Sequence, residues 1–184
     1  MENLFFNFDD LHYLGKNSII GKTVRIRYPE LVSIGDNCII DDFTYISTKL
    51  ELSDNVHISS GCKLIGGKNS TVTMGKFSTT SPNVVLAAGT DDYIGGIGTP
   101  IIPSEFKGDS ISGKIELNDL TIIGANSVIL PNVKVGKGSS LGALSLANSN
   151  LEEWYLYAGV PAKKIKKRNK EQILKLLEEY LKSR

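Results

Sequence analysis

A period of six residues constrains this chain more than any other feature of it. From Ile34 to Leu64 a branched or bulky apolar residue recurs at every sixth position: Ile34, Ile40, Ile46, Leu52, Ile58 and Leu64. Four residues after each of the first five stands a side chain suited to an interior: Cys38, Thr44, Leu50, Val56 and Cys62. Directly after them come small or polar residues, Gly35, Asp41, Ser47, Ser53 and Ser59. Such a period fits neither the 3.6-residue turn of a helix nor the alternation of an ordinary strand. Short repeats of this size mark a β-solenoid, in which three hexads close one triangular coil around a narrow core.

The period extends on both sides. Leu14, Ile20 and Ile26 precede it, with two extra residues around Tyr28-Pro29 before Ile34. The phase breaks at Gly66-Gly67-Lys68-Asn69, resumes at Met74, Thr80 and Leu86, and fails between Ala88 and Lys114. It returns at Leu117, Ile123, Ile129, Val135 and Leu141, which makes five complete coils and part of a sixth. The excursion 88–114 is rich in glycine and proline and carries Asp91, Asp92, Glu105 and Asp109. A loop of that length inside a compact domain is usually functional.

The two ends follow other rules. Leu4, Phe5, Phe8 and Leu11 recur at helical spacing and suit a cap over the open end of the solenoid. Asn169 with Gln172 forms a capping box before Ile173, Leu176, Leu177, Tyr180 and Leu181, which predicts a C-terminal helix. The expected organisation is a cap over 1–13, an all-β solenoid over 14–165 with the loop 88–114 inserted, and a C-terminal helix over 166–184.

Composition narrows the partners. A net charge of +1 gives no electrostatic basis for nucleic-acid binding. Residues 1–10 lack a basic leader pattern, and no apolar stretch approaches the ~20 residues of a membrane span. The expectation is a soluble, cytoplasmic protein without membrane insertion. Cys38 and Cys62 fall in inward slots of different faces and read as small buried hydrophobes rather than a disulfide or metal pair.

The segments Ile123-Gly124-Ala125-Asn126-Ser127-Val128-Ile129-Leu130-Pro131, Gly142-Ala143-Leu144-Ser145 and Ala158-Gly159-Val160-Pro161-Ala162-Lys163 resemble the late coils of the hexapeptide-repeat acyltransferases. The resemblance implies a left-handed parallel β-helix, a homotrimer with active sites between neighbouring solenoids, and acetyl-CoA as co-substrate. Within that family the chain is most similar to sugar acetyltransferases of bacterial surface-polysaccharide pathways, such as lipopolysaccharide or capsule. The pieces that carry this are Leu86-Ala87-Ala88-Gly89-Thr90-Asp91-Asp92-Tyr93, the glycine- and proline-rich excursion and Trp154-Tyr155-Leu156-Tyr157. The implied activity is transfer of acetyl from acetyl-CoA to a hydroxyl or amino group of a sugar.

Acyl transfer to a hydroxyl needs a general base. The resemblance places the family's catalytic histidine column on Asp91, so this chain departs from the pattern. Two candidates remain: Asp91, with its pKa raised by burial or by Asp92, and His57, whose ring points outward beside inward Ile58. Asp92, Tyr93 and Ser59 are the expected substrate contacts. An amine acceptor would relax the need for a strong base, and both kinds of transfer stay open. For coenzyme A, the resemblance places the pantetheine arm along Gly124-Ala125 and Gly142-Ala143, with Lys163, Lys164, Lys167 and Arg168 at its phosphates. No metal is expected: a γ-carbonic anhydrase of the same fold needs three histidines, and the chain has two. The remaining alternatives are a non-catalytic β-helix for assembly or polymer binding, and an acyltransferase for an amino-acid-type acceptor.

Overall fold

The computed structural model describes residues 2–99 and 101–183; Met1, Arg184 and Pro100, the last inside the predicted excursion, lie outside them. The chain winds into a left-handed parallel β-helix of about seven turns and ends in one α-helix. Each apolar position of the period stacks on its counterpart one coil away. The first face reads Leu14, Ile34, Leu52, Met74, Leu117 and Val135, with Leu151 bridged to Val135. The second reads Ile20, Ile40, Ile58, Thr80, Ile123, Leu141 and Tyr157. The third reads Ile26, Ile46, Leu64, Leu86, Ile129 and Ala147. Parallel pairing at about 4.8 Å per coil aligns identical slots into columns that run the length of the solenoid.

Six coils are complete and the seventh lacks its third face, which is more than the period predicts. Ala147 is too small to register as a bulky apolar position, and the shortened corner before Leu151 hides the final coil. The break at Gly66 leaves the wall intact, because a single strand, Lys63–Met74, carries the chain from the third face round to the first. Its bulge is pinned by Ser70 Oγ donating to the Gly66 carbonyl at 2.8 Å. The excursion after Ala88 starts and finishes as a small antiparallel pair, Gly89–Thr90 with Ile111–Ser112.

The interior is narrow and largely apolar. Ile34, Ile40, Ile58, Leu64, Leu86, Ile123 and Ile129 are fully buried. Inward serines turn their hydroxyls to corner carbonyls: Ser18 Oγ donates to Gly35 and Ser127 Oγ to Gly142, each at 2.8 Å. Cys38 and Cys62 are free and buried, and burial pushes both thiols above their ordinary pKa.

The ends differ in regularity. The N-terminal segment forms only one short 3-10 turn, Phe8–Asp10, in place of an amphipathic helix. Phe6, Phe8 and Leu11 pack against the core, and Asn3 Nδ2 donates to the carbonyls of Gly21 and Val24 on the first coil. The C-terminal helix, Lys170–Lys182, begins as expected, with Asn169 Oδ1 accepting from the Gln172 N–H at 3.1 Å. It returns along the corner between the first and second faces, where Phe77, Leu120 and Trp154 adopt left-handed backbone with φ of 58°, 61° and 61°. Bulky residues rarely take that conformation. Here they seat the helix: the Tyr180 ring meets Phe77 edge-on at 6.0 Å, and Lys170 Nζ lies 5.4 Å over Trp154. Ten residues of helix rise about 15 Å, close to the roughly 14 Å of three coil steps from Trp154 to Phe77. Among the described residues no helix is long and apolar enough to cross a membrane.

Candidate acyl-transfer site

Two columns of the solenoid carry the polar chemistry. The first consists of the residues that directly follow the inward side chains of the second face: Gly21, Asp41, Ser59, Ser81, Gly124, Gly142 and Ala158. Backbone bonds link it coil to coil, with Ser59 N–H donating to Thr80, Ser81 to Ile123, Gly124 to Leu141 and Gly142 to Tyr157, at 2.7–3.1 Å. Gly124 has no room for a side chain, since a Cβ would lie 2.7 Å from the Gly142 carbonyl carbon and 2.8 Å from Ala143 Cα. Gly124, Ala125, Gly142 and Ala143 therefore form a smooth track at the upper end of this column. Ser81 sits one coil below the track.

His57 projects outward from the second face, as its place before Ile58 predicts. Its Nε2 lies 2.8 Å from Asp41 Oδ2, and Thr79 Oγ1 is 3.5 Å from Nδ1. Its Nε2 thus faces the Asp41 carboxylate and its Nδ1 the Thr79 hydroxyl. Three other outward positions of this face are apolar and exposed: Ile19, Ile39 and Ile122, at 58%, 38% and 40%.

The second column follows the inward residues of the third face: Arg27, Ser47, Ile65, Ala87, Leu130 and Asn148. The excursion folds beside it and hangs Asp91 between two cavities. One, of about 610 Å³, is walled by Ile65, Ala87, Ile111, Val128 and Leu130. The other, of about 590 Å³, takes in Arg27, Tyr28, Gly66, Gly67 and Lys107. Asp91, Thr90, Ile65 and Ile111 line both. Neither His12 nor His57 lines either one. Asp91 and His57 thus belong to different faces, and one chain does not bring the two candidate bases together.

The remaining predicted positions separate by role. Asp92 turns into its own loop: Oδ1 accepts from the N–H groups of Ile94 and Gly95 at 2.9 Å, and Oδ2 from Asp109 at 3.1 Å. These amides, Gly95 foremost, hold its carboxyl below the usual carboxylate range. It organises the loop that presents Asp91. Tyr93, 90% exposed, stands at the rim of the cavity of about 610 Å³ that Asp91 also lines. Lys163, Lys164 and Lys167 lie on the strand Lys163–Lys167, which pairs antiparallel with Tyr155–Ala158 beside the glycine track. Lys164 is paired with Glu152 at 2.5 Å, which raises its pKa, and sits 4.2 Å over the Tyr155 ring. Arg168 points the other way: its Nη1 donates to the carbonyls of Gly138 at 2.6 Å and Leu120 at 3.1 Å. Half-buried against that corner, Arg168 anchors the C-terminal segment, and burial lowers its pKa.

Comparison with known proteins places this geometry. No protein-family model matches the chain. The dTDP-4-amino-4,6-dideoxy-D-glucose acyltransferase of Escherichia coli is 32% identical over 170 residues, covering 90% of this chain and 84% of that protein. AntD, an N-acyltransferase from Bacillus cereus solved with dTDP and 3-hydroxybutyryl-CoA, is 37% identical over 98% of each chain, with a TM-score of 0.90. The chain belongs to the hexapeptide-repeat sugar acyltransferases. A variant of AntD, solved with dTDP-4-amino-4,6-dideoxyglucose and coenzyme A, superposes over 99% of each chain with a TM-score of 0.91 and 36% identity.

In this acyltransferase neither Ser81 nor Asp41 is singled out by the sequence as a site residue, although Asp41 belongs to the hexad pattern. Both occupy the slot that marks Ser59, Gly124 and Gly142, so the signal was present: that column collects the polar and glycine positions of the second face. A hydroxyl at the foot of a smooth track, and a carboxylate between two cavities, are groups suited to orient a thioester carbonyl and to hold a nucleophile.

Proposed function

We propose that the chain moves an acetyl group from acetyl-CoA to the amino group of a nucleotide-linked sugar, a precursor of surface polysaccharide. One observation carries this reading: the titratable group between the two cavities is the carboxylate of Asp91, with no imidazole beside it. An amine arrives as an ammonium ion, which a carboxylate binds well. Once it has lost one proton to solvent its lone pair attacks the thioester carbonyl, forming the C–N bond as the C–S bond breaks. Asp91 takes the second proton from nitrogen, and coenzyme A leaves as its thiolate. A hydroxyl acceptor would demand a stronger base at that position.

The relatives support the same choice. Solved AntD structures include substitutions of one serine and one aspartate ten positions apart. In this chain Asp91 is the only aspartate with a serine ten residues before it, Ser81. Ser81 then belongs at the thioester, below a pantetheine arm laid along Gly124-Ala125 and Gly142-Ala143. Lys163 and Lys167, on the strand beside that track, would meet the phosphates of coenzyme A. The apolar outward positions Ile19, Ile39 and Ile122 support a homotrimer, in which Ser81 of one copy would face the Asp91 loop of the next. Both co-substrates are cytoplasmic metabolites, which favours that compartment.

The test is release of free thiol from acetyl-CoA with dTDP-4-amino-4,6-dideoxyglucose, set against its 4-hydroxyl counterpart. Release with the amine alone is expected. Equal release with the hydroxyl sugar, or none with either, would overturn the reading.

A further inference from the structure

The third-face column changes character along its length. It begins with Arg27 and Ser47, turns apolar at Ile65, Ala87 and Leu130, and ends at Asn148. The three apolar members lie in register: Ala87 pairs with Ile65, and Leu130 follows Ile129, the partner of Leu86. Stacked at about 4.8 Å per coil, they make a flat wall roughly 10 Å tall. Asp91 hangs beside this wall, and Val128 and Ile111 extend it around the cavity. Two coils below Ile65, Arg27 enters the other cavity, where its guanidinium lies 5.5 Å from the Tyr28 ring.

A wall of alkyl groups next to a carboxylate is an unusual surface for a sugar, most of whose carbons bear hydroxyls. It suits one in which the carbon beside the amine-bearing end has lost its oxygen. In a 4-amino-4,6-dideoxyhexose the amine at carbon 4 and the methyl at carbon 6 project from neighbouring ring carbons. The amine lies across the ring from the diphosphate at carbon 1, and the methyl stands on the ring carbon next to it. With the diphosphate near Arg27 and the amine on Asp91, the methyl group falls on the wall.

Resting on the proposed transfer to an amino sugar, we propose that Ile65, Ala87 and Leu130 form a specificity element for acceptors deoxygenated at carbon 6. The wall excludes a 6-hydroxyl because it offers that group no hydrogen-bond partner. The experiment compares kcat/KM for dTDP-4-amino-4,6-dideoxyglucose and dTDP-4-amino-4-deoxyglucose, which differ only in that hydroxyl. It uses the full-length protein and its Ala87→Ser and Leu130→Asn variants. The unaltered protein should favour the dideoxy sugar by roughly 10²-fold, the scale on which an apolar pocket rejects an added hydroxyl. The variants should bring the ratio to about tenfold or below, without a fall in kcat/KM for the 6-hydroxyl sugar. Loss that is equal for both sugars would show a merely structural role and overturn the assignment. A ratio near one in the unaltered protein would sink the wall while leaving amine transfer standing; no turnover of either sugar would sink both. If the variants instead alter the preference between acetyl-CoA and butyryl-CoA at a constant sugar ratio, the wall holds the acyl chain and the proposal fails.

Discussion

Replacing Arg168 with alanine separates an anchoring role from a phosphate-binding one. Its guanidinium supplies the carbonyls of Leu120 and Gly138 with hydrogen bonds, and its own N–H donates to Trp154 at 2.8 Å. A hydrogen bond from a charged donor contributes about 1.5–3 kcal/mol. Arg168 is only half-buried, and water can take over part of what the side chain provides, so the expected net loss is about 2 kcal/mol. At this chain length one kcal/mol shifts Tm by about 2–4 °C, so thermal unfolding should move down by roughly 4–8 °C if the whole fold feels the loss. If the loss is confined to the C-terminal segment, amide exchange in Lys170–Lys182 should instead speed up about 30-fold. The KM for acetyl-CoA should change by less than about twofold, because the guanidinium faces the helix corner and not the glycine track. A KM raised tenfold or more, with Tm and exchange unchanged, would refute the anchoring role and restore Arg168 to the phosphates.

Three other outcomes follow from the same geometry. Gly124→Ala forces a Cβ against the backbone of Gly142 and Ala143 and should cost about 1–3 kcal/mol, read by denaturant unfolding, together with weaker acetyl-CoA binding by calorimetry. Ile58→Ala empties a fully buried slot of the second face and should destabilise by about 2–5 kcal/mol in the same unfolding assay. Asp92→Ala should raise the acceptor KM while leaving Tm nearly unchanged. In the unaltered protein three amides favour the charged form of Asp92, so its support of the loop is present above the ordinary carboxylate pKa. That support is lost as pH falls below about 4, where amide exchange of residues 92–99 and 104–109 should accelerate.

The solenoid is legible in the sequence because its core is one-dimensional: each hexad must bury its own residue, whatever its neighbours do. The reading fails where that rule is met by an unexpected side chain. Ala147 fills a slot without looking apolar enough, and Leu151 returns early, so the last coil goes uncounted. Nothing in the local sequence marks Phe77, Leu120 and Trp154 as the seat of the helix, since each is an ordinary corner residue until the helix folds back over it. The site shows the same division. Asp91 stands out as a carboxylate where the resemblance expects a histidine. Its surroundings come from positions as far apart as Arg27 and Leu130, which only coil stacking brings together. Asp92 and Arg168 have the right chemistry for substrate and phosphate, yet nearby backbone groups claim them first, and composition carries no sign of that competition.

Turnover of Asp91→Asn and His57→Asn, measured side by side with saturating acetyl-CoA and the 4-amino sugar, tests the central claim most directly. With Asp91 as the group that holds and deprotonates the amine, its substitution should lower kcat by roughly 10²-fold or more. His57, held between Asp41 and Thr79 on the second face, should lose less than about threefold when changed, since it collects no proton from the acceptor. The reverse pattern, with His57→Asn inactive and Asp91→Asn near full turnover, would contradict the account.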